Sequence, residues 1–396
     1  MRILYLCHRF PYPPDEGGKI RSYHVIRHLC ASHTVTLVSL ARSSKEACRG
    51  RGIRSSCSDY HIATIRDWQQ WMKVLGSFPM PMSASEAYFH SHEMMRIVAR
   101  QLSLKEFDLI FVHCSSVARY VAHVSSMPKI LDFADMDSQK WMQYAGCRRW
   151  PLSLGYAWEG RKLLAAERRL ARCFDLCTVA TRAEWATLQS YRTGTASGWF
   201  PNGVDAAFFS PGSEPHDPNL ISFVGRMDYY PNQECMLRFC RDTLPLLRAE
   251  RPDLKLIIVG ANPSAQVRKL RRLPGVAVTG AVADVRPFVR RSALTVAPLD
   301  IARGTQNKIL ESMAMGVPVV ASRLAAEGVD AVPGRHIWAA SDPREYRDAI
   351  RLILSDPAER QRLSSAGRAR MLSHHSWSQS MERLDGLIDR AIAARE

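Results

Sequence analysis

Asp300-Ile-Ala-Arg-Gly-Thr-Gln-Asn-Lys-Ile-Leu-Glu-Ser-Met-Ala-Met-Gly-Val-Pro-Val-Val-Ala-Ser322 is the stretch around which the chain is organised. The apolar run Leu294 to Leu299 before it predicts a buried strand, and Arg303-Gly304-Thr305 turns the chain into a short helix. Gly316 ends that helix and Val317 to Ala321 predicts the next strand. At about 100° per residue, Ile309, Leu310, Met313 and Ala314 share one side, with Gly304, Lys308 and Glu311 on the other. Free N–H groups at a helix start favour an anion, and Gly304 removes a side chain that would block its approach. Lys308 adds positive charge one turn in, and Glu311 can accept hydrogen bonds from sugar hydroxyls. The same Lys and Glu also make an ordinary solvated i, i+3 pair, so the rest of the chain has to decide.

A length of 396 residues predicts two domains, each large enough for its own core. Apolar residues are 46% and charged residues 23%, which excludes a disordered chain. No run of ~18 uncharged apolar residues appears, so no membrane-spanning helix is expected. Met1 to His8 holds too short an apolar run for a signal peptide, and the expected location is cytoplasmic. The ten cysteines are scattered, with Cys30, Cys177 and Cys240 inside apolar runs. Cys173 and Cys177 have no second pair at ligand spacing, so no metal is expected. Net charge is +16, and 27 basic against 16 acidic residues fall in the first 200. Such a basic half suits nucleic acid, an anionic membrane or a phosphorylated substrate, and charge does not choose among them.

Arg2 to Cys7 predicts the first strand. After it comes the loop His8-Arg9-Phe10-Pro11-Tyr12-Pro13-Pro14-Asp15-Glu16-Gly17-Gly18 and a helix from Lys19. Glycines between a first strand and first helix let backbone approach a ligand. Further strands are predicted at Thr34 to Leu40, His61 to Ile65, Leu109 to His113, Lys129 to Phe133 and Asp175 to Ala180. Their alternation with helices predicts a parallel sheet covered on both faces. His113 stands at a strand's carboxyl end, as either a structural hydrogen-bonder or a ligand contact.

Asp132, Asp135 and Asp137 can hold a cation or cap the following helix through Asp137 or Ser138, and capping is the expectation. Gln139 to Phe174, broken near Pro151, carries Arg148, Arg149, Arg161, Lys162, Arg168, Arg169 and Arg172 beside Trp141, Trp150 and Trp158. That helix pair and the Trp68/Trp71/Met72 helix suit either a membrane surface or a solvated face with tryptophans anchored in the core. The domain boundary is placed near residue 200, before a proline-rich linker from Ser210 to Pro218. Strands then recur at Leu220 to Val224, Leu254 to Val259 and Val276 to Thr279, and the chain is helical after Ser341. The expected domains are 1–200, 201–375 and a terminal helix, 376–396, returning to the first.

These pieces together resemble the family 4, "group 1", retaining glycosyltransferases. The matching residues are Gly17-Gly18, His113, Pro201-Asn202-Gly203-Val204-Asp205 with Phe209-Ser210-Pro211, Val224-Gly225-Arg226, and Glu311-Ser312-Met313-Ala314-Met315-Gly316-Val317-Pro318-Val319-Val320. Phe223 to Asn232, Gly304 to Lys308 and Asp132 to Ser138 look like the sugar transferases associated with bacterial exosortase (PEP-CTERM) and exopolysaccharide loci. The resemblance implies an α/β GT-B fold, two Rossmann-like domains facing across a cleft. It also implies transfer of a sugar from a nucleotide-sugar to a lipid-linked or polysaccharide acceptor, peripheral to the inner face of the cytoplasmic membrane.

As implied by the resemblance, Arg226, Lys308 and Glu311 with His113 carry the chemistry. Gly17, Gly18, Gly225, Arg303, Gly304, Thr305, Gln306 and Asn307 complete the donor contacts, with no cofactor and no metal. Two positions depart from the family pattern: Pro231 stands where many relatives have a lysine, and Arg303 where they have a glutamate. A degenerate nucleotide-sugar-binding module and a nucleotide-sugar epimerase are the alternatives. A nicotinamide oxidoreductase lacks its G-x-G-x-x-G after the first strand, and nucleic-acid binding rests on charge alone, so neither is expected.

Overall fold

The computed structural model describes residues 1–14, 17–48, 52–53 and 57–395; Asp15 and Glu16 of the first loop and parts of the basic stretch after Arg42 lie outside them. The chain divides into two compact units, Met1–Pro201 with Ser380–Glu396, and Asn202–Gln379.

The first unit is built on seven strands: β1 (Arg2–Cys7), β2 (Thr34–Ala41), β3 (Asp59–Thr64), β4 (Leu109–His113), β5 (Lys129–Ala134), β6 (Leu176–Val179) and β7 (Ala196–Trp199). They lie in the order β3-β2-β1-β4-β5-β6-β7, all parallel. All of β4 is buried and β1 is buried from Ile3 onward, because helices cover both faces of a central parallel strand. Leu4, Leu6, Ile110, Val112 and Leu131 form the centre of that core.

The second unit has β8 (Asp217–Val224), β9 (Lys255–Val259), β10 (Val276–Val278), β11 (Ser292–Ala297), β12 (Val319–Ser322) and β13 (Trp338–Ala340). Their order is β10-β9-β8-β11-β12-β13, again parallel throughout. Each sheet therefore reverses its winding once, between β1 and β4 and between β8 and β11. In such sheets the strand ends at the reversal diverge and leave a crevice for ligands.

The opening helix spans Asn307–Ala314, and Gly316 takes the left-handed backbone, φ +72°, that ends it. Ile309, Leu310, Met313 and Ala314 are buried in the second core, as their spacing predicts. Arg2–Cys7 and Leu109–His113 end where the sequence predicts, and the other predicted strands differ at one or both ends by one to three residues. Two strands go unpredicted: Ala196-Ser-Gly-Trp199 and Trp338-Ala-Ala340 are too short to carry a period. The first helix begins at Gly17, so the paired glycines occupy its first turn instead of preceding it.

One further expectation is corrected, and one alternative left open is decided. The helix Asp137–Cys147 is not capped by Asp137 or Ser138. Asp137 is its first residue, and Ser138 donates from its N–H (2.8 Å) and its hydroxyl (2.5 Å) to Glu167. Glu184 accepts from the N–H of Met136, so two glutamates from other helices satisfy this helix start. Trp68, Trp71, Trp150 and Trp158 are exposed rather than anchored in the core, whereas Trp141 meets Tyr144 edge-on and Tyr156 at a tilt. The terminal helix Trp377–Ala393 ends in the first unit, where Asp385 pairs with His28 (2.8 Å) and Arg383 lies over Trp199. No helix among the described residues is long and apolar enough to cross a membrane.

Candidate functional site

In the second unit, β8 runs out at Val224 and hands the chain to Gly225 and Arg226 at the winding reversal. A Cβ on Gly225 would lie 2.7 Å from Asn232 Nδ2 and 3.2 Å from Lys308 Nζ, so only glycine lets an amide and an ammonium rest against this backbone. Lys308 Nζ donates to Asn232 Oδ1 at 2.6 Å, and Asn232 Nδ2 donates to the Arg226 carbonyl at 2.9 Å. The ammonium also lies 4.7 Å from the centre of the Phe223 ring. Burial lowers Lys308 to about 8, against the opposing pull of Cys235 and Glu311. Burial raises Glu311 to about 7, opposed by Lys308, and its carboxylate accepts no hydrogen bond from any described residue.

The loop before this helix is shaped by Gly304, φ +64°. Its carbonyl packs against Gly328, where a Cβ would come within 2.2 Å of the oxygen. Thr305 Oγ1 is buried with no hydrogen-bond partner among the described residues. Gln306 precedes the helix without a side-chain cap, its Nε2 donating instead to the Arg303 carbonyl at 3.2 Å. Asn307 Oδ1 accepts from Asn202 Nδ2 at 3.4 Å. A half-buried ammonium, an uncapped helix start, a hydroxyl with no partner among the described residues and an open carboxylate together suit a ligand with an anionic centre flanked by neutral hydroxyls.

Arg226 is turned to a different partner. Its guanidinium meets Asp228 through Nε (3.1 Å) and Nη2 (2.6 Å), and these bonds hold the Asp228 carboxyl below its ordinary range. Asn262 donates to the same carboxylate at 3.3 Å.

The first unit has its own polar cluster, also at the winding reversal. His113, last residue of β4, places Nδ1 2.8 Å from Asp132 Oδ2. Arg21, on the helix that Gly17 and Gly18 open, grips both Asp132 oxygens (2.8 and 2.9 Å), and Thr178 donates to Oδ1 at 2.9 Å. Arg21 also reaches the Phe200 carbonyl and stacks 3.6 Å over the Phe200 ring. Burial pushes the Asp132 carboxyl up, but the Arg21 charge and the bonds from His113 and Arg21 outweigh it and hold it far below the usual range. His8, just past β1, lies 6.0 Å from the His113 ring, its Nδ1 buried and without a partner among the described residues. Burial, with Arg9 and His113, lowers its pKa well below the ordinary value. Cys114 and Ala134, following His113 and closing β5, hold positive φ (81° and 61°). Strained backbone of this kind costs about 1–3 kcal/mol per residue and persists where its surroundings enforce it.

The site residues thus form one group in each unit. Gly225, Arg226, Arg303 to Lys308 and Glu311 lie in the second unit, and Gly17, Gly18 and His113 in the first. Sequence reasoning missed Asn232, Asp228, Gly328, Arg21 and His8. Asn232 was within reach: it directly follows Pro231, where the missing lysine had drawn attention to the start of this helix.

Both units have the parallel-sheet architecture of GT-B glycosyltransferases. Over its full length the chain superposes on sucrose-phosphate synthase from Thermosynechococcus elongatus, which it covers completely, with a TM-score of 0.72 at 16% identity. It superposes on Anabaena Alr3699/HepE in complex with UDP-glucose with a TM-score of 0.68 at 13% identity, over 98% of this chain and 100% of that one. Residues 218–356 match the family model for glycosyl transferases, group 1. D-inositol 3-phosphate glycosyltransferase of Thermobifida fusca is 27% identical over 75% of this chain and 72% of its own. Glycogen synthase of Mycobacterium tuberculosis is 28% identical over 95% and 92%. The match to the family model for glycosyl transferases, group 1, thus lies in the unit that carries Gly225, Lys308 and Glu311.

Proposed function

We propose that this chain is a retaining glycosyltransferase that takes its sugar from a nucleotide-sugar held by the second unit. The observation that carries this is the Gly225–Asn232–Lys308 contact with the open Glu311 carboxylate one helical turn away. Lys308 and the amides of Gly304 to Asn307 take the diphosphate, with Arg226 and Arg303 as further cations, and Glu311 accepts the ribose hydroxyls. Positive charge fixed where the nucleoside diphosphate departs lowers the barrier without a metal. In the first unit we assign Gly17-Gly18 to diphosphate contact and His113 to the transferred sugar, with Asp132 and Arg21 orienting the His113 ring. Retention follows from attack on the face the diphosphate leaves, with its own oxygen as base. The nucleotide-sugar donor is also supported by Alr3699/HepE, crystallised with UDP-glucose. The acceptor is lipid-linked or a polysaccharide, in bacterial exopolysaccharide biosynthesis at the inner face of the cytoplasmic membrane.

One observation favours a second reading, a binding module without turnover: Arg226 is engaged by Asp228 and Pro231 supplies no charge. Incubation with labelled UDP- and GDP-sugars and a bacterial lipid fraction separates the two. Transfer supports the enzyme, and nucleotide-sugar binding with no transfer to any acceptor supports the module.

A further inference from the structure

The helix Asp67–Gly76 is inside out. Trp68, Trp71, Met72 and Leu75 stand at i, i+3, i+4 and i+7, the spacing of a core-facing stripe, yet each is 60–69% exposed. The one buried side chain is Gln70, which donates to the His90 carbonyl. The apolar surface continues into Phe78 and Met80 beyond the helix. It reaches a second element through Lys162, which donates to the Phe78 carbonyl (2.9 Å) and lies 5.5 Å from the Trp158 ring. Trp158 shares its helix, Leu152–Ala171, with the exposed Leu152 and Leu154. Scattered exposed apolar residues are ordinary, but a contiguous aromatic face marks an interaction surface.

Charge identifies the partner. Residues 140–172 hold eight lysines and arginines against two acids, Glu159 and Glu167. Both acids are buried, bonded to Ala84 and Ser85 and to Ser138. The charge presented beside Trp150 and Trp158 is therefore positive, and beside Trp68 and Trp71 the exposed Arg66 and Lys73 outnumber Asp67. A second copy of the chain would bring like charges together on this face, whereas an anionic bilayer complements it. Tryptophan with lysine and arginine is also the composition that settles at the boundary between headgroups and acyl chains.

We propose that this face of the first unit docks on an anionic phospholipid bilayer. Trp68, Trp71, Leu75 and Phe78 enter the headgroup boundary, and the basic side chains of residues 140–172 lie against the phosphates. The inference gives the membrane location read above its contact surface, and its test uses no nucleotide-sugar, so each can fail alone.

The full chain is floated with vesicles of phosphatidylcholine alone and of phosphatidylcholine with phosphatidylglycerol. Binding is expected to the second at low salt, to weaken as salt rises, and to fall by about tenfold or more in Trp68→Ser/Trp71→Ser, whose melting temperature stays that of the wild type. A second variant, Leu75→Glu, puts a carboxylate into the same face and is expected to lose binding equally. Absence of binding at low salt, or unchanged binding by both variants, overturns the proposal. So does sedimentation as a dimer that both variants dissociate, with no partition onto vesicles.

Discussion

Asn232 holds Lys308. Its side-chain oxygen takes the Lys308 ammonium at 2.6 Å while its NH2 is fixed on the Arg226 carbonyl at 2.9 Å, so one amide joins the end of β8 to the helix after β11. Pro231 stands in the first turn of the helix Tyr230–Arg238, which delivers Asn232 to this contact. We predict that Asn232→Ala weakens nucleotide-sugar binding about tenfold, with a smaller effect on folding, because the ammonium loses its aim and not its charge. Calorimetric titration of the variant with UDP- and GDP-sugars measures this, and unchanged affinity would show that Lys308 needs no positioning.

The glycine beneath this contact gives a second test. Gly225→Ala inserts a carbon 2.7 Å from the Asn232 amide nitrogen and 3.2 Å from Lys308 Nζ, and both must move. Affinity for the nucleotide-sugar should fall about tenfold or more. Gly260→Ala instead meets the Gly225 carbonyl at 1.8 Å, a backbone atom that cannot yield, and should lower the melting temperature as well.

Glu311 and Lys308 set opposite limbs of a pH profile. With Glu311 raised to about 7 and Lys308 lowered to about 8, both are charged only in the interval between. Nucleotide-sugar affinity should peak there, falling on the acid side as Glu311 is protonated and on the alkaline side as Lys308 loses its proton. Glu311→Gln should remove the acid limb and lower the maximum.

The same variant makes a stability prediction with a definite sign. A carboxyl raised above its unfolded value binds more protons in the native state. Its charged form therefore subtracts stability as pH climbs from about 4.5 to 7. Glu311→Gln should stabilise the ligand-free protein at pH 8 by about 1–2 kcal/mol, a figure discounted for partial exposure. A stabilised protein that binds its nucleotide less well would identify Glu311 as a residue kept for the ligand.

In the first unit, Asp132 is fully buried and gripped by Arg21, His113 and Thr178. Asp132→Asn leaves the Arg21 charge buried without its counter-ion and should cost about 3–5 kcal/mol in denaturant unfolding. Arg21→Met/Asp132→Leu, which removes both charges, should cost less than the single change. Equal costs would mean that the pair acts by packing alone.

Much of the fold was legible because its strands are apolar runs flanked by helical periods. Leu109 to His113 is bounded identically in sequence and structure, and the buried face of the 307–314 helix follows from Ile309, Leu310, Met313 and Ala314. The strands at 196–199 and 338–340 were not legible, since four and three residues pair only because a sheet edge is already waiting for them. Of the candidate site, the sequence marks Gly304 for the side chain it lacks, and the positive φ it takes is a local demand that glycine meets. It was illegible where the partner is distant in sequence: Asn232 and Lys308 are 76 positions apart, Arg21 and Asp132 are 111. The exposed Trp68 stripe shows the opposite limit, because its period matches that of a core helix and only the fold reveals which way it faces.

The central claim is that Lys308 stands where a nucleoside diphosphate leaves. Transfer of labelled sugar from a nucleotide-sugar to a bacterial lipid or polysaccharide fraction, wild type beside Lys308→Ala, tests it most directly. Transfer is expected from the wild type, with a loss of about a hundredfold or more in the variant at unchanged melting temperature. Near-normal transfer by Lys308→Ala would contradict it.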